Sequence, residues 1–262
     1  MAYLMDLHVY TNNTPGTKDK ISFLCETAVE RNIRAVAFTD IITPETESRF
    51  DLKRQVRHAF FDISKAKQLF FGALTVFAGI ELRQAVLDPA AVDRILSMQH
   101  YDIVLTCLSG YAKGEPFGLS PDMPQADFNA FADRYTGLLL RTVETTDFDV
   151  LARPLAPLRD ARADFSYFEE SMRKVLTALA VREKALEIDT KDILGSEIVR
   201  DLYLRLIACF RQAGGKYITF GSECANHDEL GAGIELAMNA VKRAGFTQLT
   251  FYDKRIPYSV DL

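Results

Sequence analysis

Leu4-Met5-Asp6-Leu7-His8-Val9-Tyr10 is a short apolar run with polar residues set into it, and the rest of the chain repeats its pattern. A segment of helical period, Lys18–Arg31, follows it, and then a second compact run, Ala35-Val36-Ala37-Phe38-Thr39-Asp40, which again closes on polar residues. Short β-branched and apolar runs alternating with longer amphipathic segments are the mark of βα units. Working outward, further strands are expected near Thr75–Leu82, Asp102–Leu108, Asp149–Pro154, Ala185–Asp189 and Tyr217–Glu223, with one more apolar run at Gln248–Asp253. Helices are expected near Leu52–Phe71, Ala90–Met98, Phe128–Thr145, Tyr167–Val181, Glu197–Ala213 and Gly231–Ala244. About seven βα units predict an α/β fold with a parallel sheet, closed into a barrel in preference to an open doubly wound sheet. Asn32, Gly214-Gly215 and Gly245 stand where left-handed helix ends belong. The Gly/Pro-rich stretch Gly110–Pro124 is the one long loop, either a lid or an ordered excursion. With no internal repeat and no Ser/Gly linker, residues 1–262 read as one domain.

Composition narrows the function. The 262 residues carry 31 Lys and Arg against 36 Asp and Glu, a net charge of −5, which argues against a nucleic-acid partner. Four histidines are too few for a histidine-rich polymetal centre. The four cysteines, Cys25, Cys107, Cys209 and Cys224, lack metal-site spacing and read as free thiols of a reducing, cytoplasmic compartment. Asp6 and His8 interrupt the first apolar run, so it is not a signal peptide, and no uncharged apolar stretch reaches the ~18 residues of a membrane span.

In a βα barrel the chemistry sits at the C-terminal ends of the strands. Here those ends carry Asp6, His8 and Tyr10; Thr39-Asp40; Glu81; Cys107 and Ser109; Arg153; Glu187 and Asp189; and Ser222-Glu223-Cys224. Acidic residues and one histidine thus gather on one rim with an arginine among them. Each has a structural reading beside the functional one. His8 reads as a hydrogen-bonded core residue or a ligand, and Asp40 as a turn cap or a site carboxylate. Glu81 needs a cation or strong donors if it stays ionised. Arg153 is a candidate for that cation, through a salt bridge to Glu81 or Glu223.

The order of these segments resembles the polymerase and histidinol phosphatase (PHP) superfamily, in its histidinol-phosphatase-like branch, over nearly the whole chain. That resemblance implies a distorted TIM-like (β/α)7 barrel whose strand ends hold up to three divalent metals, orient a phosphate ester and activate a water. Asp6-Leu7-His8 keeps the first histidine of the family's opening motif, with Tyr10 at the second. Phe38-Thr39-Asp40-Ile41 keeps the aspartate and loses the histidine after it, while Gly79-Ile80-Glu81 is intact. Ser109 stands at the strand-four histidine and Arg153 at the strand-five one. Gly221-Ser222-Glu223-Cys224-Ala225 has Glu for the family's Asp and Ala for its last histidine, and Asp228-Glu229-Leu230-Gly231 fits the pattern.

What survives implies His8, Glu81 and Glu223 as ligands for one divalent ion, zinc, manganese or iron, or for none. Arg153 beside a metal adds like-charge repulsion, whereas beside carboxylates or a phosphate it gains charge-assisted bonds. Two functions are therefore expected to compete. The first is a degenerate barrel, a pseudoenzyme, that binds a small phosphorylated or anionic metabolite through Tyr10, Arg83, Ser109 and Arg153, with Arg159 as a further anion contact. The second is a residual single-metal phosphomonoesterase with Asp40 in a supporting or proton-transfer role and Arg153 on the phosphate. A third, in which Tyr10, Cys107, Ser109 or Cys224 acts as acid or nucleophile, lacks a neighbouring base.

Overall fold

A computed structural model describes residues 3–44, 52–112 and 114–262. Seven parallel strands form the frame, in the order β1 (Met5–Val9), β2 (Ala35–Phe38), β4 (Thr75–Arg83), β5 (Ile103–Cys107), β6 (Val150–Leu151), β7 (Ala185–Asp189) and β8 (Ile218–Gly221). A two-residue strand, β3 (Ile41–Ile42), continues the line of β2 and pairs with β4 at Glu81 and Leu82. Helices α1 (Ile21–Glu30), α2 (Leu52–Leu69), α3 (Pro89–Leu96), α4 (Gln125–Thr145), α5 (Ser166–Val181), α6 (Thr190–Leu194), α7 (Glu197–Gln212) and α8 (Ile234–Arg243) lie between and after the strands. This is the expected distorted barrel of βα units. Among the described residues no helix is long and apolar enough to cross a membrane.

The strands are buried on both faces, as parallel strands flanked by helices must be. Along β2 the alternation is plain: Ala35 and Ala37 join the main apolar cluster, while Val36 and Phe38 pack with Leu24, Ala28 and Ile63 of α1 and α2. The expected helix ends hold: Asn32, Gly214 and Gly245 have φ of 57°, 90° and 90°. Two sequence expectations need correcting. The strand read over Asp149–Pro154 shortens to two residues, because the backbone turns left-handed at Arg153, φ 53°. The run Gln248–Asp253, β9, forms an antiparallel hairpin with β10 (Ile256–Asp261) outside the barrel sheet.

That hairpin is fastened at the N-terminal ends of β5 and β6. Arg255 forks onto Asp147 (2.7 Å) and Asp149 (3.0 Å), and its backbone N–H donates to the Asp102 carbonyl at 2.8 Å. The polar strand ends and the loops that follow them lie at the opposite end of the barrel, its mouth. Within Gly110–Pro124, Phe117 packs edge-on against Tyr111 and Tyr135, and Arg134 covers the Tyr111 ring at 3.6 Å.

Closure between β1 and β8 rests on one isolated bridge, Val9 to Cys224, and on the buried carboxylate of Asp6. Asp6 accepts from the Ser222 N–H (2.9 Å), the Gly231 N–H (2.8 Å) and the Ser222 hydroxyl. One side chain therefore satisfies donors at two points of the loop after β8, Ser222 and Gly231. Asp6→Ala strands them in the interior and is expected to lower the unfolding free energy by about 3 kcal/mol, read by urea denaturation. A loss within a few tenths of a kcal/mol contradicts this role.

Candidate functional site

Side chains two residues apart on a strand share a face. His8 and Tyr10 at the end of β1, Glu81 and Arg83 on β4, and Glu187 and Asp189 on β7 are three such pairs, and their side chains meet partners at the mouth. His8 is fully buried, its Nδ1 2.8 Å from Glu187 Oε2 and its Nε2 3.4 Å from Glu81 Oε2. Gly221 makes this approach possible, since a Cβ there would collide with the His8 Cβ and lie 2.6 Å from Glu187 Oε2. Glu81 is the hub. It accepts from the Tyr10 hydroxyl at 2.7 Å, the Cys107 thiol at 2.7 Å, and Arg83 Nε at 3.2 Å, with Arg153 Nη1 3.5 Å away.

Arg153 also reaches the far side of the mouth, its Nη2 2.6 Å from Glu223 Oε1. Both partners sit in left-handed backbone conformations, φ 53° and 51°. Such geometry is uncommon for residues with a Cβ and persists only where the surroundings hold it. Arg159, after the short turn Ala156–Leu158, takes the other oxygen of Glu223 at 3.0 Å and also binds Asp189 (2.5 Å) and Asp192 (2.6 Å).

The electrostatics follow from this crowding. Burial opposes the charge on His8, but Glu187 and Glu81 outweigh it and raise its pKa to about 10, which favours the charged ring. Burial would push Glu81 up, but His8, Arg83 and Arg153 hold it well below the usual carboxylate range. Glu223 is likewise held low, by Arg153 and Arg159 against burial. Asp189 goes the other way, raised by burial and by the neighbouring Asp192. Burial and the Glu81 charge push Tyr10 and Cys107 up, so both keep their protons and serve Glu81 as donors rather than as nucleophiles.

Of the residues singled out in the sequence, His8, Tyr10, Glu81, Arg83, Arg153 and Glu223 come together. Ser109 is exposed and takes no part in the network. The Asp40 carboxylate accepts from the Thr11 N–H (2.7 Å), the Thr11 hydroxyl (2.6 Å) and the Thr14 hydroxyl (2.8 Å), so it organises the loop after β1. His227 pairs with Asp19 at 3.0 Å. Sequence reading set Glu187 and Asp189 on the rim without giving either a role, and it missed Asp192. The spacing Glu187-x-Asp189 at a strand end was the available signal for the first two; Asp192 lies on α6, a five-residue helix with no periodicity to detect.

Whether a divalent ion fits depends on free carboxylate oxygens. Both oxygens of Glu81 and both of Glu223 already face donors of this chain, three of them guanidiniums. Among the described residues no group of three or more His, Cys, Asp or Glu is arranged to hold a metal. The residues in this arrangement therefore do not fit a divalent ion.

A family model described as PHP domain matches residues 6–191. The chain belongs to the PHP family. Its relatives include the histidinol-phosphatase of Lactococcus lactis, 22% identical over 260 residues, 95% of this chain and 94% of that protein. A Thermotoga maritima protein named "Probable histidinol-phosphatase" is 30% identical over 122 residues, 47% of this chain. That match spans 52% of the Thermotoga protein, about half its length. The crystal structure of the Lactococcus lactis histidinol phosphate phosphatase, complexed with zinc, L-histidinol and phosphate, superimposes with a TM-score of 0.82 at 19% identity. It covers 97% of this chain and 98% of that one, and shows that the PHP barrel is shared.

The raised pKa of His8 has a defined consequence for stability. A group whose pKa rises on folding contributes fully below its unfolded value and loses that contribution as pH climbs through the folded one. Stability is therefore expected to fall between pH 6.5 and about 10, and His8→Gln to flatten that fall in urea denaturation followed across the range. An equal fall in both proteins contradicts the ion pairing assigned to His8.

Proposed function

We propose that this PHP-family barrel binds a small phosphorylated or otherwise anionic metabolite at the mouth, and that it is degenerate with respect to the family's metal chemistry. The observation that carries the reading is the gathering of Arg83, Arg153 and Arg159 around one opening, with side chains 22%, 14% and 30% exposed. Partly exposed guanidiniums offer planar, charge-assisted donors suited to phosphate or carboxylate. An entering anion exchanges with the chain's own carboxylates rather than meeting bare positive charge, so modest affinity is expected. Arg83 and Arg153 serve as the anion contacts, Tyr10 lines the opening, and Ser109 stands on the loop beyond β5. Asp40 acts by fixing the loop after β1. The names of the relatives, histidinol phosphatases, and the phosphate bound in the Lactococcus structure support a phosphorylated ligand.

A second reading, a phosphomonoesterase using one divalent ion at His8, Glu81 and Glu223, is favoured by one observation: His8 Nε2, buried and 3.4 Å from Glu81 Oε2, makes no hydrogen bond. It requires Arg153, the guanidinium that touches both carboxylates, to leave them, and Arg83 and Arg159 to yield to the ion.

Calorimetric titration of the full chain with inorganic phosphate and a panel of phosphomonoesters tests the first reading. Binding by the wild type, weakened about tenfold in Arg83→Ala, is the expected result. No binding of any phosphate, or equal binding by the variant, contradicts it.

A further inference from the structure

Among the described residues Arg153 alone spans the mouth from the end of β6 to the carboxylates of β4 and of the loop after β8, 3.5 Å from Glu81 Oε1 and 2.6 Å from Glu223 Oε1. Its side chain is largely buried, and its Nε is a buried donor without a partner, so the guanidinium is placed for its charge rather than for a full set of hydrogen bonds. The left-handed backbone at both Arg153 and Glu223 aims the two side chains at each other across the opening. Such a conformation persists in a residue with a Cβ where the surrounding structure over-determines it. Arg83 and Arg159 complete the enclosure of the same two carboxylates from either side.

We infer that Arg153 is the resident cation of this barrel: its guanidinium bridges Glu81 and Glu223 as a bound divalent ion would, and makes the fold and the mouth independent of metal. Converging carboxylates need a counter-charge in a poorly solvated opening. A guanidinium supplies it at every accessible pH and without exchange with solvent. A dication between the same carboxylates would meet the guanidinium at a few ångströms, with strong like-charge repulsion. The inference rests on the mouth being the site, as in the reading above, but not on phosphate binding there.

The test uses the full chain, treated with chelator and then with zinc, with zinc stoichiometry read by elemental analysis and Tm by calorimetry. The wild type is expected to retain no stoichiometric zinc and to show one Tm under all conditions. Arg153→Ala is expected to lose roughly 10 °C in Tm and to take up about one equivalent of zinc that restores most of the loss. Arg153→His, which puts an imidazole in place of the guanidinium, is expected to take up zinc as well, and decides the matter if the alanine variant does not fold. Zinc taken up by the wild type with a rise in Tm overturns the inference. So do folded variants that take up none. Wild-type zinc uptake alongside intact phosphate binding removes the resident cation and leaves the anion reading standing; absence of both zinc uptake and phosphate binding does the reverse.

Discussion

A closed parallel barrel brings the ends of its strands together, and any charges those ends carry must be balanced inside one small, poorly solvated opening. In this chain the strand ends and adjoining loops bring in Glu81, Glu187, Asp189, Asp192 and Glu223. Arg83, Arg153, Arg159 and the His8 imidazolium answer them at 2.5 to 3.5 Å. Left uncompensated, each buried carboxylate would cost several kcal/mol. The balance is thus a condition of folding as much as a feature of a site, and the backbone bends to meet it at Arg153 and Glu223.

The other parts of the structure serve that opening. Asp6 draws β8 and its following loop against β1, which fixes Glu223 relative to His8. Gly221 leaves the space in which His8 and Glu187 meet. The β9–β10 hairpin, held by Arg255 on Asp147 and Asp149, secures the far end of the barrel. Ligand chemistry in this fold belongs at the C-terminal ends of the strands, where the guanidiniums of Arg83, Arg153 and Arg159 are the partly exposed groups.

Much of this was legible in the sequence. Alternation of apolar runs with amphipathic segments carried the barrel, since burial on both faces leaves a strong signal in each strand. Paired polar residues at i and i+2, as in His8-x-Tyr10 and Glu81-x-Arg83, marked which side chains share the mouth. The salt bridges of Arg153 with Glu81 and Glu223 were open to expectation because an ionised carboxylate at the end of an apolar strand demands a partner. What escaped depends on turns rather than on periodicity. Arg159 reaches Asp189 and Asp192 only because a 3-10 turn and a five-residue helix bring them together, and neither element has a pattern long enough to read. Ser109 stood in the right register for the mouth, yet it lies just past the end of β5 and faces solvent. The run Gln248–Asp253 was readable as a strand, but its antiparallel pairing is set by the two-residue turn Lys254-Arg255, both at left-handed φ (51° and 65°) with no Gly or Asn to announce it.

The most direct measurement is a crystal structure of the full chain grown in excess zinc, with an anomalous difference map recorded at the zinc edge. The expected map shows the Arg153 guanidinium between Glu81 and Glu223 and no anomalous peak in the mouth. A zinc peak on Glu81 and Glu223, with Arg153 displaced from between them, would contradict the charge balance on which the whole reading rests.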